Sequence, residues 1–87
     1  MADAPFRDNV VVLTGASAGI GREMALQLAA QGAALALAAR DAARLDQVAD
    51  VCRAKGARAI AVPTDVGDEA QCRALIERAV AELGRID

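Results

Sequence analysis

Val10-Val11-Val12-Leu13-Thr14-Gly15-Ala16-Ser17-Ala18-Gly19-Ile20-Gly21 decides how this chain folds. Four apolar residues, three of them β-branched, predict a strand buried on both faces. A turn carrying three glycines follows directly. Arg22 to Gln31 then offers helix formers throughout, with Gly32 as the stop. Strand, glycine turn and helix together place unpaired N–H groups and the positive end of a helix dipole where an anion can sit. Glycines let the backbone approach that anion with no Cβ in the way. The stretch therefore predicts a phosphate-binding turn of a nucleotide site. An unliganded glycine turn is the structural alternative.

The remaining chain continues the pattern. Residues 1–8 read as an arm, with Phe6 packing on the sheet edge. Strand one is expected over 9–14 and the first helix over 20–31. Ala33 to Ala39 follows as a second strand, although its alanines favour a helix on propensity alone. Its position, a short return after a helix in a unit opened by a nucleotide turn, decides for a parallel strand. A second helix is expected over 42–55, capped by Asp41 and stopped by Gly56. Leu45, Val48, Ala49 and Cys52 form its apolar stripe; Arg44, Asp46, Asp50 and Arg53 face water. Arg58 to Val62 makes a third strand ended by Pro63. A third helix spans 68–83, with Leu75, Ile76, Ala79, Val80 and Leu83 on one face and Gly84 closing it. Met24, spaced four from Ile20 and from Leu28, is expected in the core. Glu69–Arg73 and Arg78–Glu82 are i, i+4 pairs on a solvated face. The order β-α-β-α-β-α with right-handed crossovers predicts an α/β, Rossmann-like parallel sheet ordered 3-2-1 with helices on both sides.

Composition narrows the function classes. The chain has 87 residues, one small domain at most, and buries only about 60–65% of the surface it exposes unfolded. One Phe and no Tyr or Trp, among many alanines, predict helices packed closely on the sheet. A net charge of −2 without a long run of either sign gives no footprint for nucleic acid or an acidic membrane. No stretch reaches the roughly 18 apolar residues of a membrane span, and the start has no basic signal region. A soluble, cytoplasmic chain is expected. Cys52 and Cys72 lie on separate helices with no Cys-x-x-C spacing and no His in the chain, so they read as buried inert thiols. The same inventory offers no metal site.

The glycine spacing is Gly15-x-x-x-Gly19-x-Gly21 with Thr14 ahead, not the G-x-G-x-x-G of most dinucleotide folds, and no Gly-Lys-Ser/Thr makes it a P-loop. Thr14-Gly15-x-x-x-Gly19-x-Gly21 resembles the cofactor motif of the short-chain dehydrogenase/reductase family, and the resemblance runs from Val10 to Asp87. It implies that Gly15, Ser17, Gly19, Ile20 and Gly21 contact the pyrophosphate and adenosine ribose of a nicotinamide dinucleotide. Ser17 also reads as a turn residue bonding its own backbone. Ala18, another position at the cofactor, departs from the many NADP-binding relatives that carry a basic residue there. The resemblance also implies a fourth strand with an Asn-Asn-Ala-Gly stretch, absent here. Residues 1–87 are thus expected to be the N-terminal part of a single NAD(P)-binding Rossmann domain, incomplete before that strand, which would pair with the free edge of strand one.

Cofactor choice is read at the end of strand two. An acidic residue about 20 positions past the glycines accepts from the ribose 2′-OH and marks NAD. Here Ala39 and Arg40 occupy that place, and a guanidinium pairs with a 2′-phosphate. NADP(H) is expected over NAD. A solvated Arg40 paired with Asp41 is the alternative. The resemblance further implies that Asp65 and Val66, ending strand three, hold the adenine; a carboxylate at a helix N-terminus is the other reading of Asp65.

Catalytic residues are not expected in these 87 positions. The family relies on a Ser and a Tyr-x-x-x-Lys dyad, whereas this chain has no tyrosine or histidine, and its single lysine, Lys55, ends a helix away from the cofactor edge. The resemblance implies an oxidoreductase interconverting an alcohol and a ketone, homo-oligomeric when complete. The alternatives are a non-catalytic NAD(P)-binding or sensing module and an NAD-linked epimerase or dehydratase, the last opposed by the glycine spacing.

Overall fold

The computed structural model describes residues 9–86, so the expected arm and Phe6 lie outside the described residues. Six elements alternate: β1 (Val10–Thr14), α1 (Gly19–Ala30), β2 (Ala34–Ala39), α2 (Ala42–Ala54), β3 (Ala59–Pro63) and α3 (Glu69–Leu83). The strands form one parallel sheet in the order β1-β2-β3, the expected 3-2-1 arrangement named from its other edge. β1 runs beside β2 from Val10 opposite Ala34 to Thr14 opposite Ala38. β2 runs beside β3 from Leu35 opposite Ala59 to Ala39 opposite Pro63. Pro63 is the last residue of β3 rather than its terminator; on an edge strand its missing N–H costs no ladder bond.

β2 is the middle strand, and every residue in it is buried. Successive side chains alternate between faces, which divides it into two packing surfaces. Leu35, Leu37 and Ala39 join α1 and α2 through Ala25, Ala29, Leu45, Val48, Ala49 and Cys52. Ala34, Ala36 and Ala38 join α3 through Leu75, Ala79 and Leu83. The alanines that argue for a helix on propensity are what let three helices lie close to a short sheet. Burial on both faces overrides propensity here.

The ends of α2 and α3 are fixed locally. Asp41 caps α2 by accepting from the Arg44 N–H at 3.0 Å, and Asp68 caps α3 by accepting from the Gln71 N–H at 3.1 Å. Gly84 ends α3 at φ 93°, a left-handed conformation that favours glycine. Arg53 donates to the Ala59 carbonyl at 2.9 Å, joining the end of α2 to the start of β3, and Arg58 donates to the Glu82 carbonyl at 2.8 Å.

Several expected core residues are exposed. Met24, Ile76 and Val80 are each 44–47% exposed. The cause is the width of the buried stripe. Leu75, Ala79 and Leu83 repeat every four residues, and Ile76 and Val80 sit one position further, about 100° around the helix. Met24 stands in the same relation to Ala25 and Ala29. Cys52 is buried as expected, but Cys72 is only half-buried. Burial pushes the Cys52 thiol above its ordinary value, against a smaller opposing pull from Lys55 and Arg53.

Two outcomes follow from this packing. Leu37→Ala, which empties a fully buried position, should cost about 2–5 kcal/mol, read as a lower denaturation midpoint in urea. In the native protein at mildly alkaline pH a thiol reagent should label Cys72 first, Cys52 reacting only when the chain unfolds.

Candidate functional site

The turn between β1 and α1 uses its three glycines for two different reasons. Gly15 and Gly19 have φ of 66° and 60°, the left-handed region, and open space around them. An L side chain there is strained by about 1–2 kcal/mol. Gly21 has ordinary helical geometry, but a Cβ on it would fall inside the Gly15 carbonyl and against Ala16. The first turn of α1 therefore rests directly on the backbone of the preceding turn. Ala16 is fully buried beneath it, and its N–H donates to the Ala38 carbonyl at 3.2 Å, tying the turn to β2.

This seating presents the N-terminus of α1 at the carboxyl edge of the sheet with nothing capping it. Ala18 is the N-cap, no side chain bonds the first turn, and no acidic residue lies in it. The first helical bond is Arg22 N–H to the Ala18 carbonyl at 3.3 Å, and the N–H groups of Gly19, Ile20 and Gly21 donate to nothing among the described residues. α2 and α3 both carry an aspartate cap, so among the three described helices α1 alone has no side-chain acceptor at its first turn.

The ends of β2 and β3 complete the edge. The register sets Ala39 opposite Pro63, so the residues that follow emerge side by side. The Thr64 N–H donates to the Ala39 carbonyl at 2.9 Å, and the buried Thr64 hydroxyl donates to the Val62 carbonyl at 2.7 Å. Arg40 then meets Asp65: an Arg40 Nη donates to Asp65 Oδ1 at 3.1 Å. The same Oδ1 accepts the Gly67 N–H at 2.9 Å. Those two donors, Gly67 first, lower the Asp65 carboxyl from its ordinary value, so the group keeps its charge to a lower pH than a free carboxylate does. Arg40 does not pair with Asp41, as the sequence alternative had it. Asp41 instead caps α2 and pairs with Arg44 at 3.6 Å. Nor does Asp65 cap α3, a position held by Asp68.

Gly15, Ser17, Ala39, Arg40, Asp41, Thr64 and Val66 line one cleft of about 350 Å³ at this edge. Of the residues singled out in the sequence, this gathers Gly15, Ser17, Arg40 and Val66, with Asp65 joined through its ion pair. Ser17, Ala18 and Gly19 line an adjoining groove with Arg22 and Arg44. Ile20, 81% exposed, and Gly21 line neither. Two participants were missed in the sequence. Thr64 lines the cleft, and the Gln71 side-chain carbonyl accepts the Asp65 N–H at 2.8 Å. The Asp68-x-x-Gln71 spacing, that of a capping box, was the available signal.

A second cavity, of about 450 Å³, lies at the opposite, amino-terminal edge beside Val10, Arg58 and Leu83. Lys55 is the C-cap residue of α2, also remote from the glycine turn. Among the described residues no group of three or more His, Cys, Asp or Glu could hold a metal, and no helix is long and apolar enough to cross a membrane.

The short chain dehydrogenase family model matches residues 9–87. The chain belongs to that family. It is 40% identical over 79 residues to 11-beta-hydroxysteroid dehydrogenase 1A of Arabidopsis thaliana, covering 90% of this chain and 23% of that enzyme. It is 44% identical over 82 residues to 1,6-dihydroxycyclohexa-2,4-diene-1-carboxylate dehydrogenase of Acinetobacter baylyi, covering 94% of this chain and 31% of the relative. A short chain dehydrogenase/reductase from Burkholderia phymatum, solved in complex with NAD, superposes with a TM-score of 0.90 at 40% identity, over 99% of this chain and 30% of that one. The chain thus spans about a quarter to a third of the length of these three relatives.

The glycine turn gives a direct test. Gly21→Ala should displace α1 from the turn and lower the denaturation midpoint in urea well below that of Gly19→Ala, which should fold with a loss of about 1–2 kcal/mol.

Proposed function

We propose that these residues are the NADP(H)-binding part of a longer oxidoreductase that interconverts an alcohol and a ketone. Membership of the short chain dehydrogenase family and the enzymatic names of its relatives support the reaction class. The greater length of those relatives, and a β1 that pairs on one side only among the described residues, support a domain extending beyond these elements. The free N–H groups of Gly19, Ile20 and Gly21 would receive the pyrophosphate. Ser17 offers a hydroxyl to the phosphates or ribose, Ala18 leaves the helix cap open, and Gly15 with Val66 gives the adenosine an uncrowded wall. When bound, NADP(H) supplies or accepts the hydride.

One observation carries the preference for NADP(H). The position where an acid would accept from a ribose 2′-OH is Ala39, and Arg40 lines the same cleft. A 2′-phosphate gains a charge-assisted partner there, and no carboxylate at position 39 repels it. Two solved relatives hold NAD or NADH, which supports a nicotinamide dinucleotide and leaves the 2′-phosphate to the residues themselves.

The same reading carries a cytoplasmic enzyme that self-associates and has no nucleic-acid or membrane partner. The chemical step falls to residues outside these 87, since the chain holds no tyrosine or histidine and Lys55 is remote from the cleft. The lack of tyrosine also favours a second reading, a module that binds the dinucleotide without chemistry. Turnover of NADP(H) with an alcohol or ketone panel by the full-length protein would decide against that module.

The cofactor test needs only the adenosine half of the ligand. 2′,5′-ADP should bind the full-length protein about tenfold or more tightly than 5′-ADP, the scale of one charge-assisted hydrogen bond. Arg40→Ala should bring the two together. Equal affinities in the unmutated protein would overturn the preference.

A further inference from the structure

Arg40 has a long side chain that is 78% exposed, and among the described residues one structural feature restrains its guanidinium. That feature is Asp65, 25 residues away in sequence, reached by a single Nη at 3.1 Å. A guanidinium has five N–H donors, so this bond leaves the others available to a ligand. Asp65 is itself held from three sides. Its Oδ1 accepts the Gly67 N–H at 2.9 Å, its own N–H donates to Gln71 at 2.8 Å, and its carbonyl accepts the Asp68 N–H at 2.9 Å. A well-braced acceptor thus holds one corner of an otherwise loose cation. Arg40 and Thr64 line both the cleft of Gly15, Ser17 and Val66 and a more open one with Pro63, Asp65 and Gln71; Thr64 is buried, so the exposed Arg40 side chain forms the ridge between them.

We infer that Asp65 is a positioning residue acting through Arg40: it holds the guanidinium on the rim of the nucleotide cleft and so sets how strongly the cleft separates a 2′-phosphate from a 2′-hydroxyl. This rests on the NADP(H) reading above and adds a residue to it. An exposed arginine loses rotamer entropy when fixed by a ligand alone; one already tethered loses less. The tether therefore favours the ligand that uses the guanidinium and leaves a nucleotide lacking the 2′-phosphate unaffected. An adenine contact by Asp65 would act on both ligands alike, which makes the ratio of affinities the discriminating quantity.

The experiment is calorimetric titration of the full-length protein with 2′,5′-ADP and with 5′-ADP, in the unmutated form and as Asp65→Ala and Asp65→Asn. Asparagine keeps an Oδ1 that can accept from both Gly67 and Arg40, whereas alanine keeps neither bond. Asp65→Ala should reduce the ratio of the two affinities about three- to tenfold, the worth of one exposed charge-assisted contact. Asp65→Asn should recover most of it. A ratio unchanged by Asp65→Ala, with both affinities lowered equally, would overturn the inference and leave an adenine contact only. A ratio raised by Asp65→Ala would overturn it in the other direction, the carboxylate then competing with the phosphate for Arg40. In both cases the NADP(H) reading survives. A ratio near one in the unmutated protein defeats that reading and this inference together.

Discussion

The site depends on a contact between two pieces of backbone. The first turn of α1 lies against the Gly15 carbonyl so closely that position 21 has no room for a Cβ. That contact fixes where α1 begins and aims its axis at the carboxyl edge of the sheet. Gly15 and Gly19 bend the chain through two left-handed residues to allow it. Buried Ala16 locks the turn to β2 from below. Loss of the contact would move the N–H groups of Gly19 to Gly21 away from the cleft and disturb the face where Ala25 and Ala29 of α1 pack on β2. The packing of the core and the geometry of the site are thus coupled, and three glycines join them.

The uncapped α1 is best understood beside its neighbours. An aspartate at the N-cap of a helix contributes about 1 kcal/mol by satisfying one of the free N–H groups. α2 and α3 take that stabilisation through Asp41 and Asp68. α1, with Ala18, forgoes it. A side-chain acceptor at position 18 would stabilise the free protein while occupying a donor and placing a competing oxygen at the dipole. On the function proposed above, the missing cap leaves that stability to be recovered by a bound anion, which would link folding to binding at this helix.

Much of the fold was legible because its signals are local. The β-branched run before Gly15, the stripe of Leu45, Val48, Ala49 and Cys52, and the glycines at 32, 56 and 84 each report on their own neighbourhood. The second strand was the hard case. Ala33 to Ala39 has helical propensity, and only its place after α1 marked it as the strand buried on both faces. Depth of burial read less well, because a helix on a three-stranded sheet buries a narrow stripe. Met24, Ile76 and Val80 share the apolar character of their neighbours but lie one position off it.

The site was legible residue by residue but not in its pairing. Arg40 and Asp65 were each singled out at the ends of their strands, yet nothing local ties residues 25 apart. Asp41, adjacent in sequence, was the obvious partner. Sheet register decides otherwise: Ala39 lies opposite Pro63, so Arg40 and Asp65 leave neighbouring strands within reach, while Asp41 turns into the cap of α2. An exposed ion pair of this kind contributes little to stability. Its consequence is directional. A weak tether to a braced carboxylate stabilises the fold hardly at all, but it narrows where the Arg40 guanidinium can be when an anion arrives at the cleft. The same parallel register that buries β2 therefore also sets where the Arg40 charge stands at the cleft.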